Sequence, residues 1–208
     1  MVEQQLRGRG IRDERVLEAM LEVPRHLFVP QEWVESAYTD QPLAIGRGQT
    51  ISQPFMVAAM TEALELSGTE RVLEVGAGSG YQAAILGRLA KEVIAVELEA
   101  SLAESAAARL ARLGYGNVRV LAGDASGGYP PMAPYDAIVV SAAARTVPQP
   151  LVDQLAEGGR LLIPVGPEDS QELVRLRRAG DGMIREVLHY CRFVPLLGRH
   201  GQPEGGPQ

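Results

Sequence analysis

The 208-residue chain has a single cysteine, Cys191, so no intrachain disulfide can form. Such sparse cysteine use fits a reducing compartment, and a cytoplasmic protein is expected. Three histidines, His26, His189 and His200, lie far apart, and no set of His, Cys and carboxylates has metal-site spacing, so no metal is expected. No apolar run approaches the roughly 18 residues of a membrane span. Met1 to Arg15 lacks the apolar stretch of a secretory signal. Lysine is reduced to Lys91 against 19 arginines, and the net charge of −6 argues against a nucleic-acid partner. No broad apolar surface stripe is evident, so a monomer is expected. The 46% of hydrophobic residues suit one soluble domain with a real core.

Asp13 is placed to cap a helix through about Glu22, in which Val16, Leu17, Met20 and Leu21 fall at helical spacing. A second short helix is predicted over Gln31 to Ala37, and Phe28 and Trp33 are expected to be the hydrophobic anchors of the N-terminal helices. Thr39 to Gln53 is rich in Gly, Pro and Gln and shows little periodicity. An irregular stretch of that length in a compact domain points to function or disorder. Pro54 can open a helix running to about Leu66. From Arg71 onward, short apolar strands (RVLEVG, EVIAVE, VRVLAGD, YDAIVVSA, GRLLIPVG) alternate with helical segments at Tyr81–Leu89 and Ala100–Leu113, the pattern of a parallel sheet built from βαβ units. QELVRLRRAG and MIREVLHYCRFVPL read as two further strands turning at Ala179–Gly182. The expected organisation is a helical extension and substrate loop over residues 1–66, an α/β unit over 67–197 forming one compact body with it, and a flexible tail over 198–208.

The strongest local signal is Glu74-Val75-Gly76-Ala77-Gly78-Ser79-Gly80, at the end of the first sheet strand and the start of a helix. Open α/β sheets bind ligands at the carboxyl ends of their strands, where the topology reverses. The spacing is G-x-G-x-G, and Tyr81 stands where the dinucleotide pattern G-x-G-x-x-G would need its last glycine, so that pattern is not met. Glu74 would repel a pyrophosphate but attract a cofactor carrying an ammonium and a sulfonium. Glu97 closes the second strand, where a carboxylate can accept from both ribose hydroxyls. Asp124 follows the third strand and can meet an adenine edge. A lone Gly-rich turn is most often a plain βα connection, and a lone strand-end acid is most often a cap. The three in register point to S-adenosylmethionine rather than NAD.

The irregular stretch contains Gly46-Arg47-Gly48-Gln49-Thr50-Ile51-Ser52-Gln53-Pro54. Backbone N–H groups near a helix N-terminus bind carboxylates, and the Ser52 hydroxyl can add a donor or cap the helix; the residues alone leave both open. GQTISQP followed by a helix and VLEVGAGSGYQ resembles the protein-L-isoaspartate (D-aspartate) O-methyltransferase family. VPRHLFVP, PYDAIVVSAAA, EGGRLLIPVG and RFVPL fit the same family, so the resemblance spans about Leu6 to Leu197. VLEVGAGSG occurs across many methyltransferases, whereas QTISQP is specific to isoaspartyl substrates.

The resemblance implies a Rossmann-like class I methyltransferase fold, α/β, with a mostly parallel seven-stranded sheet, helices on both faces and an N-terminal helical extension. It implies that Thr50, Ile51, Ser52 and Gln53 line the meeting point of methyl donor and substrate, with Ser52 the active-site residue. Glu74 and Gly76, with Gly78 and Gly80 of the same loop, would hold the methionine part, Glu97 the ribose, and Asp124 with Ala125 the adenine. The family usually has Gly at position 125 and often a Trp thereafter, where this chain has Ser126-Gly127-Gly128-Tyr129. Some members carry a His where this chain has Val57. The implied partners are isoaspartyl proteins and peptides, and D-aspartyl side chains. The product would be S-adenosylhomocysteine, with repair through a succinimide. A free α-carboxylate is ionised at neutral pH, with a pKa of about 3.5, so no strong base is required. Alignment of nucleophile and methyl can supply roughly 7–11 kcal/mol. The alternatives weighed are a methyltransferase for a small molecule or RNA, and a non-catalytic sensor of the cofactor. The GQTISQP segment counts against all of these.

Overall fold

The structure, a computed structural model, describes residues 1–202. Its centre is a seven-stranded sheet in the order β5-β4-β3-β6-β7-β8-β9. The strands are β3 (Arg71–Val75), β4 (Glu92–Glu97), β5 (Val118–Ala122), β6 (Tyr135–Val140), β7 (Leu155–Val165), β8 (Gln171–Ala179) and β9 (Gly182–Cys191). Strands β3 to β7 run parallel, and β8 and β9 are antiparallel additions. Strands β3, β4 and β6 are buried on both faces, so they read as continuous apolar runs rather than alternating ones. The chain moves outward from β3 to β4 and β5, then crosses back to β6 on the other side of β3. That reversal opens a crevice at the carboxyl ends of β3, β4 and β6.

Helices cover both faces. Helices α1 (Glu14–Glu22), α2 (Pro54–Ala63) and α3 (Tyr81–Leu89) pack in one apolar cluster with the N-terminal Val2 and Leu6. Helix α4 (Ala100–Arg112) buries Ala103, Ala106 and Leu110, and the short α5 (Gln149–Asp153) sets Leu151 in a second cluster. The Asp13 carboxylate accepts from the N–H groups of Arg15 and Val16, the cap its position predicts. Among the described residues no helix is long and apolar enough to cross a membrane.

Several expectations change. Residues 39–53 are not irregular throughout: β1 (Leu43–Gly46) and β2 (Gln49–Ile51) form a small antiparallel hairpin. Its turn places Arg47 at φ +55° and Gly48 at φ +71°. Strands of four and three residues joined by Arg-Gly, rather than Asn-Gly, leave almost no hairpin signal. The stretch Gln31–Ser36 is a 3-10 helix, and Trp33 is 37% exposed, whereas Phe28 is buried against the Tyr81 ring. Helix α2 ends at Ala63, short of Leu66, and α4 at Arg112. Strand β9 stops at Cys191, so RFVPL does not prolong it. That segment turns back to the sheet's carboxyl edge, where Leu196 N–H donates to Ala143 O.

Residues 198–202, expected to fray because of their Gly and polar composition, are held by hydrogen bonds. Arg199 N–H donates to Asp124 and His200 N–H to the Ser126 hydroxyl. Residues 203–208, the remainder of the expected tail, lie outside the described residues.

Candidate active site

The Gly-rich loop leaves β3 and is bent by positive φ at Gly76 (+86°) and Gly78 (+52°), where side chains are strained. The N–H of Gly76 donates to Val96 O, and that of Gly78 to the Glu97 carboxylate at 2.7 Å. The other Glu97 oxygen accepts from Glu99 N–H at 3.0 Å. Glu97 therefore stands at the crevice with its geometry already set by two backbone donors. Gly80 differs from its expected role. Its φ is +85°, and a Cβ there would stand 3.2 Å from Ala106 and Leu110, so it lets α3 pack on α4 instead of facing the crevice.

Glu74 is completely buried, and among the described residues neither carboxylate oxygen has a hydrogen-bond partner. Its strand neighbours are Ala95 and Val139, which offer nothing polar in their side chains. Burial, and secondarily the nearby Glu97, push its carboxyl well above the usual range. An unpaired buried acid lining a crevice is satisfied by an incoming ammonium. The residues thus fit the methionine end of S-adenosylmethionine, and Glu97 fits the ribose.

The crevice is lined by Thr50, Ser52, Glu74, Gly78, Glu97 and Ser141 and measures about 50 Å³. Hairpin β1–β2 forms one wall: a Cβ on Gly78 would come within 3.4 Å of the Ile45 side chain. A larger groove of about 560 Å³ adjoins it, sharing Thr50, Ser52, Ser141 and Val194 and adding Phe55, His189 and Tyr190. Two chambers thus meet at Ser52.

Ser52 is not the cap of α2. Gln53 is the N-cap residue, and the helix donor at Phe55 is taken by Asp40, whose Oδ1 accepts its N–H at 3.0 Å. Among the described residues the Ser52 hydroxyl makes no hydrogen bond and is left to the junction of the chambers. Asp40 also receives the Gln53 amide at 2.9 Å and the Arg9 guanidinium at 2.5 Å. Gln53 is thereby turned into the larger groove and away from the cofactor crevice, unlike Thr50 and Ile51, which line the crevice. Asp40→Ala should cost about 1–2 kcal/mol of stability through the lost cap. Thermal unfolding would register it, and an unchanged Tm would contradict the capping role.

Asp124, the residue expected to meet the adenine, follows β5 at the same sheet edge. Burial raises its carboxyl, but hydrogen bonds from Arg199 N–H and from Ser126 outweigh that and hold it below the usual range. Ala125 does not adopt positive φ, so replacing the customary Gly introduces no backbone strain. Gly127 lies against the His200 ring and Gly128 against Gln154, so the C-terminal turn and β7's approach fill the space beside this loop. Asp124 and Ala125 are not among the residues lining the crevice itself.

Sequence reasoning missed Asp40, Ser141 and Val194. The position of Ser141, at the carboxyl end of the strand beside β3, could have revealed it. Asp40 and Val194 reach the site only through tertiary folding. Among the described residues no cluster of His, Cys, Asp and Glu could hold a metal.

The chain matches the family model described as protein-L-isoaspartate (D-aspartate) O-methyltransferase over residues 1–201. It is 55% identical over 202 residues to the protein-L-isoaspartate O-methyltransferase of Methanoculleus marisnigri, covering 97% of this chain and 91% of that one. A solved structure of a protein-L-isoaspartate O-methyltransferase superposes with a TM-score of 0.87 at 31% identity, covering 97% of this chain and 67% of the other. A Plasmodium falciparum structure, described as a β-aspartate methyltransferase in complex with S-adenosyl-L-homocysteine, gives a TM-score of 0.81 at 28% identity over 94% and 96% of the two chains. With the class I methyltransferase fold, the acid-lined crevice and a match along almost its whole length, this chain belongs to the protein-L-isoaspartate (D-aspartate) O-methyltransferase family.

Proposed function

We propose that this chain methylates the free α-carboxylate of L-isoaspartyl residues, and the side-chain carboxylate of D-aspartyl residues, at the junction beside Ser52. The ester then closes to a succinimide, whose hydrolysis returns some normal aspartate. The observation that carries this reading is the unengaged Ser52 hydroxyl where a groove of about 560 Å³ meets a crevice lined by two buried acids. S-adenosylmethionine, when bound, supplies an electrophilic methyl on a sulfonium.

The chain's own residues have five tasks. Glu74 holds the ammonium, and Glu97 the ribose. Asp124, with the backbone at Ala125, receives the adenine edge. Thr50 and Ile51 form the wall between donor and acceptor, while Ser52 donates a hydrogen bond to the substrate carboxylate and fixes its direction. No base is needed, because that carboxylate is already ionised at neutral pH. The apolar lining from Phe55 and Val194 excludes water and leaves the nucleophile less solvated. The end of α2 is a weaker carboxylate site than its position suggests, because Asp40 already occupies the Phe55 N–H. That places the weight on Ser52. We also read the chain as monomeric and cytoplasmic, in keeping with its lone, half-buried cysteine.

Ser52→Ala tests the assignment. One hydrogen bond to a charged group contributes about 1.5–3 kcal/mol, so kcat on an isoaspartyl peptide should fall roughly 10–100-fold. The Kd for S-adenosylhomocysteine should stay within about threefold of wild type. Unchanged kcat would remove Ser52 from the acceptor site. Mass spectrometry of the wild-type reaction should show methyl ester first and succinimide afterwards.

A further inference from the structure

The buried cation nearest the acceptor loop has no part in the chemistry described so far. Arg25 lies in the 3-10 stretch Arg25–Phe28 and is completely buried. Its two hydrogen-bond partners are backbone carbonyls, both distant in sequence. Nε donates to Ala37 O at 2.8 Å and Nη2 to Ser52 O at 2.7 Å. The guanidinium lies over the Tyr81 ring at 4.8 Å from its centroid. Tyr81 is the first residue of α3, immediately after the Gly-rich loop, and is 1% exposed. Phe28 packs edge-on against the same ring at 5.4 Å. Nη1 has no partner among the described residues.

Burying a guanidinium on two carbonyls and an aromatic face is a costly way to fill a core. What the arrangement achieves is a link. One side chain grips the peptide carbonyl of the acceptor residue and stacks on the residue that starts the cofactor helix. The planar fork matters, because it can span two carbonyls while presenting a flat face to the ring, which an ammonium cannot do.

We propose that Arg25 is a positioning residue that holds the Ser52 loop in register with the Gly-rich loop, so that acceptor and donor are aligned. It touches neither substrate nor cofactor and acts through the Ser52 carbonyl and the Tyr81 ring. The inference rests on the reading of Ser52 as the acceptor-side residue. Misalignment of reacting atoms by about 1 Å can cost on the order of a hundredfold in rate while leaving binding intact. A purely structural arginine would instead change stability, and would affect binding and turnover together.

The test uses Arg25→Lys and Arg25→Met in the full chain. Measured are kcat and KM on an isoaspartyl peptide, the Kd for S-adenosylhomocysteine, Tm, and amide hydrogen exchange across residues 49–56 and 71–80. In both variants kcat should fall roughly 10–100-fold, with the smaller loss in Arg25→Lys. The Kd and the peptide KM should stay within about threefold of wild type, and exchange should quicken in 49–56 but not in 71–80. Arg25→Lys keeps the charge and carries the test if Arg25→Met fails to fold. Undiminished kcat in a folded variant, kcat and affinity weakening by the same factor, or unaltered exchange in 49–56 would each overturn the proposal. A wild-type protein that does not methylate the peptide would count against the Ser52 reading, while the exchange data would still decide whether Arg25 holds the loop.

Discussion

Glu74→Gln is expected to abolish most cofactor affinity while making the free protein more stable near neutral pH. In the wild type the carboxyl is fully buried and its oxygens have no described partner, and burial together with Glu97 raises its pKa. A group whose folded pKa exceeds its unfolded value contributes stability that is complete below the unfolded pKa. That contribution disappears as pH climbs through the folded pKa. Free wild-type protein should therefore lose stability as pH rises from about 4 toward and beyond neutrality, and Glu74→Gln should lack that component. An incoming ammonium has the opposite effect on the acid, favouring its ionised form, so binding expels a proton and affinity weakens as pH falls. In the variant the ammonium finds a neutral amide in an apolar site, and the loss should be about a hundredfold or more. Calorimetry in two buffers of different ionisation enthalpy reads both effects. Proton release in wild type only is the expected result; equal affinity in wild type and variant would remove Glu74 from the methionine site.

Glu97→Ala should weaken cofactor binding by a similar or larger factor, for two reasons that add. The carboxylate is the proposed acceptor for the ribose hydroxyls, and it also anchors the Gly78 and Glu99 N–H groups. Its removal leaves two backbone donors at the crevice without their partner, each costing about 1–3 kcal/mol unless water replaces it. The Gly-rich loop should loosen as well. Titration of S-adenosylhomocysteine should show a Kd at least about a hundredfold higher, and exchange at residues 76–80 should quicken even without ligand. Losing a like charge also lowers the Glu74 pKa, so binding to Glu97→Ala should release fewer protons than binding to wild type. Affinity within a few-fold of wild type would end the ribose assignment.

The parallel sheet was legible because β3, β4 and β6 are short, doubly buried apolar runs with helices between them. The acids at positions 74, 97 and 124 could be placed on one edge because parallel strands deliver their carboxyl ends to the same side. What escaped was non-local. Whether Ser52 capped α2 could not be settled from its neighbours, since the cap comes from Asp40 across the loop. The Gln53 side chain leaves the crevice for the same reason. Gly80 looked like a cofactor glycine because the motif contains it, yet its missing side chain makes room for Ala106 and Leu110. The C-terminal turn read as a fraying tail because no local pattern shows that Asp124 and Ser126 receive its N–H groups.

The central claim is that the junction at Ser52 presents an isoaspartyl carboxylate to the methyl donor. It is tested most directly by methyl transfer from labelled S-adenosylmethionine to one peptide prepared in two forms, with an isoaspartyl or a normal aspartyl linkage at a single position. The account predicts label in the isoaspartyl form and essentially none in its isomer. Equal labelling of the two, or none in either while cofactor binds normally, would contradict it.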